Sequence, residues 1–286
     1  MNSNDHYAKV AGSEEKTLSL NFEETGFFEK FATHVPSVGN NLMNEQCHKY
    51  LFQKIALDSK QAEKIELETR LQSVSKSWFA HRSIRLTSSN FGKVITQKET
   101  TDPKKLVKEV TKERVMSNSE RLPPSLKWGR ENEAPAIGRY SCERAASTVL
   151  NTGLIVNPKY PWLGCSPDGI VLSKEGNVVG CVEVKCPYTH RDKTVKEATQ
   201  DKKFFMVETQ HGPNLKRRHR YYFQCQGVMA LTELPWIDFI TFTTKDLQVE
   251  RIVYDEALWQ NVMLPKLNSF YFDHILPYLV DKEELD

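Results

Sequence analysis

Two short clusters in this chain hold residue types that do chemistry together. Ser166-Pro167-Asp168-Gly169 sets a carboxylate at a tight turn, and Glu183-Val184-Lys185-Cys186-Pro187 sets a carboxylate and an ammonium two positions apart. Such a set suits metal-dependent phosphodiester cleavage. Hydrolysis builds negative charge on the attacking and leaving oxygens, and divalent cations held by carboxylates clamp both. Hard cations such as Mg²⁺ favour carboxylate, carbonyl and water oxygens, which makes Asp168, Glu183 and the Val184 carbonyl the candidate metal ligands. Lys185 would position and help deprotonate the attacking water, because a neighbouring dication lowers an ammonium's pKa.

The elements around these clusters must bring them together. Successive strand side chains point to opposite faces, so Glu183 and Lys185 share one face while Val182 and Val184 enter a core. Residues Gly169 to Leu172, the turn Ser173-Lys174-Glu175-Gly176-Asn177 and the run Val178 to Val184 read as a β-hairpin with Asp168 at its open end. Each cluster alone also has a plain reading. Glu183 and Lys185 could be a solvated pair on an exposed strand, and Asp168 could simply serve a turn beside Gly169.

The bulk numbers exclude some classes. The 286 residues allow one domain with an extension or two small domains. Lys and Arg number 39 against 37 Asp and Glu, a net charge of +2, so global charge does not mark a nucleic-acid binder. A basic run, Lys216-Arg217-Arg218-His219-Arg220, is either a solvated face or a phosphate-contacting track. The six cysteines form no C-x-x-C pair, which favours a reduced protein over a disulfide framework or zinc site. His81, His190 and His219 have no partners at metal-ligand spacing. No run of eighteen apolar residues occurs and the polar start is no signal peptide, so a soluble intracellular protein with no membrane contact is expected.

Along the chain, residues 1 to about 45 read as a loosely held extension with at most one short helix and scattered aromatics at Phe22, Phe27, Phe28 and Phe31. Residues 46–75 suggest helices with one buried face, Leu67 and Leu71 among its apolar positions. Asp102 can cap a helix opened by Pro103 and running to about Asn118, before Pro123-Pro124 breaks the chain. Pro135 suits a first helical turn, which would place Glu133 near a helix start. Residues 148–155 read as a strand, 191–213 as a surface excursion and 221–231 as a helix. Strands at 237–243 and 247–254 and a helix at 256–279, bent at Pro265, complete the chain. A helical lead-in, a mixed central sheet and a helical exit make an α/β arrangement with the site at the sheet's edge.

Three further blocks flank the acid clusters in order. Trp78-Phe79-Ala80-His81-Arg82 precedes Arg85-Leu86-Thr87-Ser88-Ser89-Asn90-Phe91-Gly92; Trp128-Gly129-Arg130-Glu131-Asn132-Glu133 follows; and Tyr221-Tyr222-Phe223-Gln224-Cys225-Gln226 comes after the E-x-K cluster. With them the chain resembles the YqaJ-type viral recombinase and phage lambda exonuclease family of PD-(D/E)xK nucleases. The blocks are similar to that family's W-x-x-x-R and T-A-S segments, its G-x-x-x-E opening a helix and its Y-x-x-Q-x-Q helix. Ser88 stands where the family has a small Ala. The resemblance covers about Trp78 to Met229, extends more weakly to about Tyr278, and leaves the first seventy or so residues unexplained.

The resemblance implies a restriction-endonuclease-like core, a mixed central β-sheet flanked by helices, over residues 76–286, preceded by a partly helical N-terminal extension over 1–75. It implies a Mg²⁺-dependent exodeoxyribonuclease, with Mn²⁺ as a substitute and two ions bound, digesting duplex DNA from an end in the 5′ to 3′ direction during recombination or repair. A structure-specific or restriction-like endonuclease and a noncatalytic DNA-binding module are the alternatives. Its spacing selects Glu133, rather than Glu131, as a catalytic and metal-binding acid beside Asp168 and Glu183. It assigns Gln224 to orienting Lys185 or the scissile phosphate, and Arg82 with Ser89 to gripping the DNA 5′ phosphate, where Arg85 could share the work. Homo-oligomers and a single-strand annealing protein are partners that the family suggests.

Overall fold

The computed structural model describes residues 25–32, 43–98, 100–112, 122–144 and 148–284. A 3₁₀ turn at Glu29–Phe31 is followed by helices α1 (Glu45–Tyr50), α2 (Ser59–Glu68) and α3 (Lys76–Ser83). The two-residue strand β1 (Leu86–Thr87), α4 (Ser88–Ile95), α5 (Lys104–Val110) and the long α6 (Pro124–Glu143) come next. Strands β2 (Thr148–Leu150), β3 (Leu163–Gly164), β4 (Gly169–Leu172) and β5 (Val178–Lys185) follow. After α7 (Val195–Ala198) and the hairpin β6 (Met206–Thr209) with β7 (Gly212–Leu215), helix α8 (Arg220–Thr232) leads to β8 (Trp236–Phe242) and β9 (Leu247–Val253). The chain closes with α9 (Glu256–Leu258), α10 (Leu264–Phe270) and α11 (Leu276–Glu283).

The main sheet has five strands in the order β2-β4-β5-β8-β9 and is mixed, with β5 and β8 parallel and the other neighbours antiparallel. Helices cover both faces. Val171, Val182, Val184 and Ile240 pack on Ala136 and Tyr140 of α6. Ile170, Cys181, Ile237 and Phe239 join the larger core, to which α8 contributes Cys225 and Val228. The period-2 alternation thus sends Val182 and Val184 one way and Glu183 and Lys185 the other. β5 is the middle strand, so the site lies at the ends of central strands and not at the sheet's edge, a correction to the expectation above.

Helices α4 and α8 touch at two glycines. A Cβ on Gly92 would stand 2.5 Å from the Arg220 Cα, and one on Gly227 would stand 2.3 Å from Cδ2 of Phe91. At Gly92 the obstacle is backbone, so the two helices would have to separate. Gly92→Ala is expected to lower stability by about 1–3 kcal/mol, the usual cost of overpacking a well-filled interior. Denaturant melts would check this, and an unchanged midpoint would refute the close-packing account.

Several local readings need correction. α6 begins at Pro124, whose missing N–H costs nothing in the first turn, and carries Pro135 inside it, so Glu133 lies mid-helix and the Gly129 to Glu133 pattern does not open a helix. Phe27, Phe28 and Phe31 are buried and stacked edge to face, so residues 25–32 are core and not loosely held; Phe22 lies outside the described residues. Leu67 and Leu71 face solvent instead of a core. The segment 191–213 holds α7 and the β6–β7 hairpin and buries Val195, Ala198, Phe204 and Met206. Asp102 does accept from the Lys104 N–H, but α5 ends at Val110, and residues 113–118 of the expected helix lie outside the described residues. β2 stops at Leu150, and beyond it Ile155 pairs singly with Cys165. The closing helix widens into π turns at Trp259–Met263 and Tyr271–Ile275, just before Pro265 and Pro277. A wide turn accommodates the carbonyls that a proline N–H cannot serve.

Candidate active site

The hairpin β4–β5 holds the acid clusters in register, with Gly169 opposite Val182. Asp168 is tied across the strands, its N–H donating to the Val182 carbonyl at 3.2 Å and its Oδ2 accepting from the Val184 N–H at 2.6 Å. Glu183 is buried at 1% exposure. Its Oε1 accepts from the Lys185 ammonium and from Nε2 of Gln224, the latter at 2.6 Å. Its Oε2 is buried with no hydrogen-bond partner among the described residues. An unserved carboxylate oxygen is costly unless a cation or proton is supplied.

Glu133 comes to the site from α6. It lines an open cleft of about 290 Å³ with Gly129, Arg130, Val184, Lys185 and Cys186. Outside its own stretch of helix, no described residue lies within 4 Å of where a Gly129 side chain would begin, so the cleft stays open one turn before Glu133. Two turns after Glu133, Tyr140 donates its hydroxyl to Oδ2 of the buried Asp238 at 2.7 Å, and Arg251 clasps the same carboxylate at 2.8 and 2.9 Å. This charge-assisted network, centred on the buried Asp238 carboxylate, holds α6 against β8 and β9 and fixes where Glu133 stands.

The electrostatics couple the three acids. Burial pushes Glu183 up to about 8, with the Asp168 carboxylate adding to the shift. Burial likewise lifts Glu133 to about 7, again with Asp168 adding, while Lys185 and Arg130 oppose. Asp168 is raised by burial against the pull of Lys185 and the Val184 N–H. Burial alone would lower Lys185, but the Glu183 and Asp168 carboxylates outweigh it and hold the ammonium above its ordinary range. Among the described residues no group of three or more His, Cys, Asp or Glu side chains is placed so as to hold a metal ion by itself. The donor chemistry nonetheless fits a hard divalent cation: three mutually repelling carboxylates, one with a free buried oxygen, beside an open cleft.

The second group of residues adjoins this one. The Arg82 guanidinium lies over the Trp78 ring at 4.1 Å and donates to the Ser89 Oγ at 3.2 Å. Trp78 in turn donates its indole N–H to Ser166 Oγ at 3.0 Å, linking α3 to the turn that carries Asp168. Arg85 is not brought to them. It is buried, donating to the carbonyls of Pro161 at 2.9 Å, His81 at 3.1 Å and Ile55 at 3.4 Å, and burial lowers its pKa to about 10. Arg85→Ala is therefore expected to cost about 3 kcal/mol of stability, since it leaves buried carbonyls unserved. A thermal melt would show the loss, and a stable variant that binds DNA poorly would return Arg85 to the phosphate site.

Gln224 donates to Glu183, a contact that the expectation of Lys185 or the scissile phosphate did not name. Gln226 bridges the Val253 carbonyl and the Asp255 N–H, a structural tie. The basic run is partly spent on the fold: Lys216 donates to the Lys202 and Phe204 carbonyls, Arg217 pairs with Glu250 at 2.8 Å, and His219 caps α8. Sequence reasoning named Tyr221 as the first residue of its motif block but gave it no role, and its ring faces the Lys185 ammonium at 5.0 Å. The signal was its place three residues before Gln224, on the same side of the helix. It also overlooked the Tyr140, Asp238 and Arg251 network, for which no local pattern exists.

A mixed α/β sheet with an acid turn and an E-x-K strand end at its centre defines a nuclease fold of the lambda exonuclease type. The chain belongs to the YqaJ-like viral recombinase domain family, matched over residues 77–235. A comparison with curated protein sequences finds no match. Among solved structures, the alkaline exonuclease LHK-Exo from Laribacter hongkongensis is 25% identical with a TM-score of 0.54, the alignment covering 73% of this chain and 98% of that one. LHK-Exo in complex with dAMP is 26% identical with a TM-score of 0.53 and the same coverage. No helix among the described residues is long and apolar enough to cross a membrane.

Proposed function

We propose that this protein is a divalent-cation-dependent exodeoxyribonuclease that hydrolyses duplex DNA from an end, 5′ to 3′, in recombination or repair. The observation that carries the reading is that Glu133 and Lys185 line one cleft, that Glu183 bonds Lys185 behind it with its other oxygen unserved, and that Asp168 and both glutamates raise one another's charge cost. The likeness to an alkaline exonuclease supports it.

In this reading Asp168, Glu183, Glu133 and the Val184 carbonyl hold the cations, two Mg²⁺ ions or Mn²⁺ in their place. Bound there, the ions stabilise charge on the attacking and leaving oxygens. Gln224 pins Glu183 Oε1, so the opposite oxygen keeps its aim. Lys185 Nζ is held between the Glu183 carboxylate and the Tyr221 ring. With the carboxylate charge compensated, the Lys185 ammonium would give up its own proton to solvent more readily, and the neutral amine could then order the attacking water and accept its proton. Arg82 and Ser89 present a guanidinium and a hydroxyl that suit the oxygens of a terminal 5′ phosphate.

The test is to incubate the full chain with Mg²⁺ and end-labelled linear duplex beside covalently closed circles. Loss of the linear DNA alone is expected; cutting of circles would make the protein an endonuclease, and inertness toward both would favour a binding module. Arg82→Ala is expected to slow digestion of 5′-phosphorylated ends by roughly 10–100-fold, the scale of about 1.5–3 kcal/mol for a hydrogen bond to a charged group. Equal loss on 5′-hydroxyl ends would sink the assignment of Arg82 and Ser89.

A further inference from the structure

We infer that α5 is a contact surface for the sugar-phosphate backbone of duplex DNA, an inference that rests on the function proposed above. Lys104, Lys108 and Lys112 recur every four residues and Lys105 lies beside them; all four are exposed. At about 1.5 Å of rise per residue, Lys104 and Lys108 stand about 6 Å apart on one side of α5, and Lys112 follows two residues past the helix's end, a row on the order of 12 Å long. That length of duplex presents about seven phosphates, at one per 1.7 Å of axis. Among the described residues none of these lysines is paired with a carboxylate; the ion pair α5 does make runs from Glu109 to Lys93, on α4.

Position distinguishes this stripe from an ordinary solvated face. At its far end, Val110 and Lys112 line a small cleft together with Trp78, Arg82, Thr87 and Asn90, so the stripe ends where the proposed phosphate grip begins. At its near end, Pro103 borders a larger cleft of about 590 Å³ whose wall includes Lys98, Lys266 and His274. Lysine ammoniums therefore continue from one cleft to the other along α5, the acid Glu109 among them being tied to Lys93, in a chain whose net charge is only +2. A polyanion laid on α5 meets them in sequence, and duplex DNA with one end at Arg82 is the polyanion the neighbouring cleft calls for. Such contacts govern affinity and its salt dependence without reading sequence.

The test is duplex binding by the full chain in EDTA, where no cleavage occurs, measured as affinity against salt concentration. The Lys104→Gln, Lys108→Gln, Lys112→Gln triple variant is expected to lower the slope of log affinity against log salt by about 2.7, three contacts at 0.9 each. The corresponding triple arginine variant should keep the wild-type slope. A glutamine variant that melts like the parent and keeps the full slope overturns the proposal. Wild-type protein that binds no duplex overturns both this inference and the function beneath it, whereas wild-type binding with no lysine dependence overturns the inference alone. Lysine dependence seen only with single-stranded RNA overturns duplex DNA as the partner.

Discussion

Lys185→Ala is expected to reduce hydrolysis of linear duplex by about a hundredfold to ten-thousandfold while leaving DNA binding within a few-fold of the parent. The magnitude follows from removing a group that acts on the attacking water, worth about 10² to 10⁴ in rate. The binding expectation follows from geometry, because the Lys185 side chain is turned into the site, against Glu183 and the Tyr221 ring, while Arg82 and Ser89 lie in the adjoining group. Removing the ammonium also leaves Glu183 without its counter-charge, so Lys185→Met should be made in parallel as a variant that preserves packing. Single-turnover cleavage together with equilibrium binding separates the two effects. Retained cleavage in both variants would remove Lys185 from the chemistry altogether.

Mg²⁺ is expected to raise the melting temperature, and to do so more strongly at pH 8.5 than at pH 5.5. The sign follows from the raised carboxylates. Glu133 and Glu183, with folded values of about 7 and 8, bind protons more tightly in the folded chain than in the unfolded one. Their contribution to stability is complete below the unfolded carboxylate range and is lost as pH rises through 7 and 8. The metal-free protein thus holds a growing cluster of repelling charge as pH climbs, and a cation bound to the folded state alone relieves it. At a concentration one hundred times its dissociation constant, such a ligand adds about 2.7 kcal/mol.

Glu183→Gln should raise the melting temperature in EDTA at pH 8.5, because it removes a buried charge, and should erase most of the Mg²⁺ shift and the cleavage. Melts at two pH values, with EDTA or Mg²⁺, decide the matter. An equal Mg²⁺ shift in Glu183→Gln would show that the stabilising cation sits elsewhere.

Much of this was legible along the chain. The hairpin of β4 and β5 was read nearly residue for residue, because strand alternation and turn chemistry act between neighbours. Helix α8 and strands β8 and β9 were read within a residue or two for the same reason. The five blocks of motif residues were sufficient for the family, which the match over residues 77–235 then showed. Local signals also misled where one residue type has two uses. Pro135 reads as a helix opener but stands inside α6, because contacts with the sheet outweigh one lost hydrogen bond.

What the sequence by itself determined is which residues could do chemistry, on which strand face Glu183 and Lys185 stand, and the family to which they belong. These follow from spacing and alternation over a few residues. What only the tertiary structure decided is which of those groups meet. Gln224 reaches Glu183 from forty-one positions away, and Tyr140 reaches Asp238 from ninety-eight. Arg82 and Arg85 lie three residues apart with similar local surroundings, yet one reaches Ser89 and the other is enclosed by carbonyls. Helix packing turned them in different directions. Burial and the distances between charges, on which the raised acids and the captured lysine depend, are properties of the assembled core, and no short stretch of chain contains them.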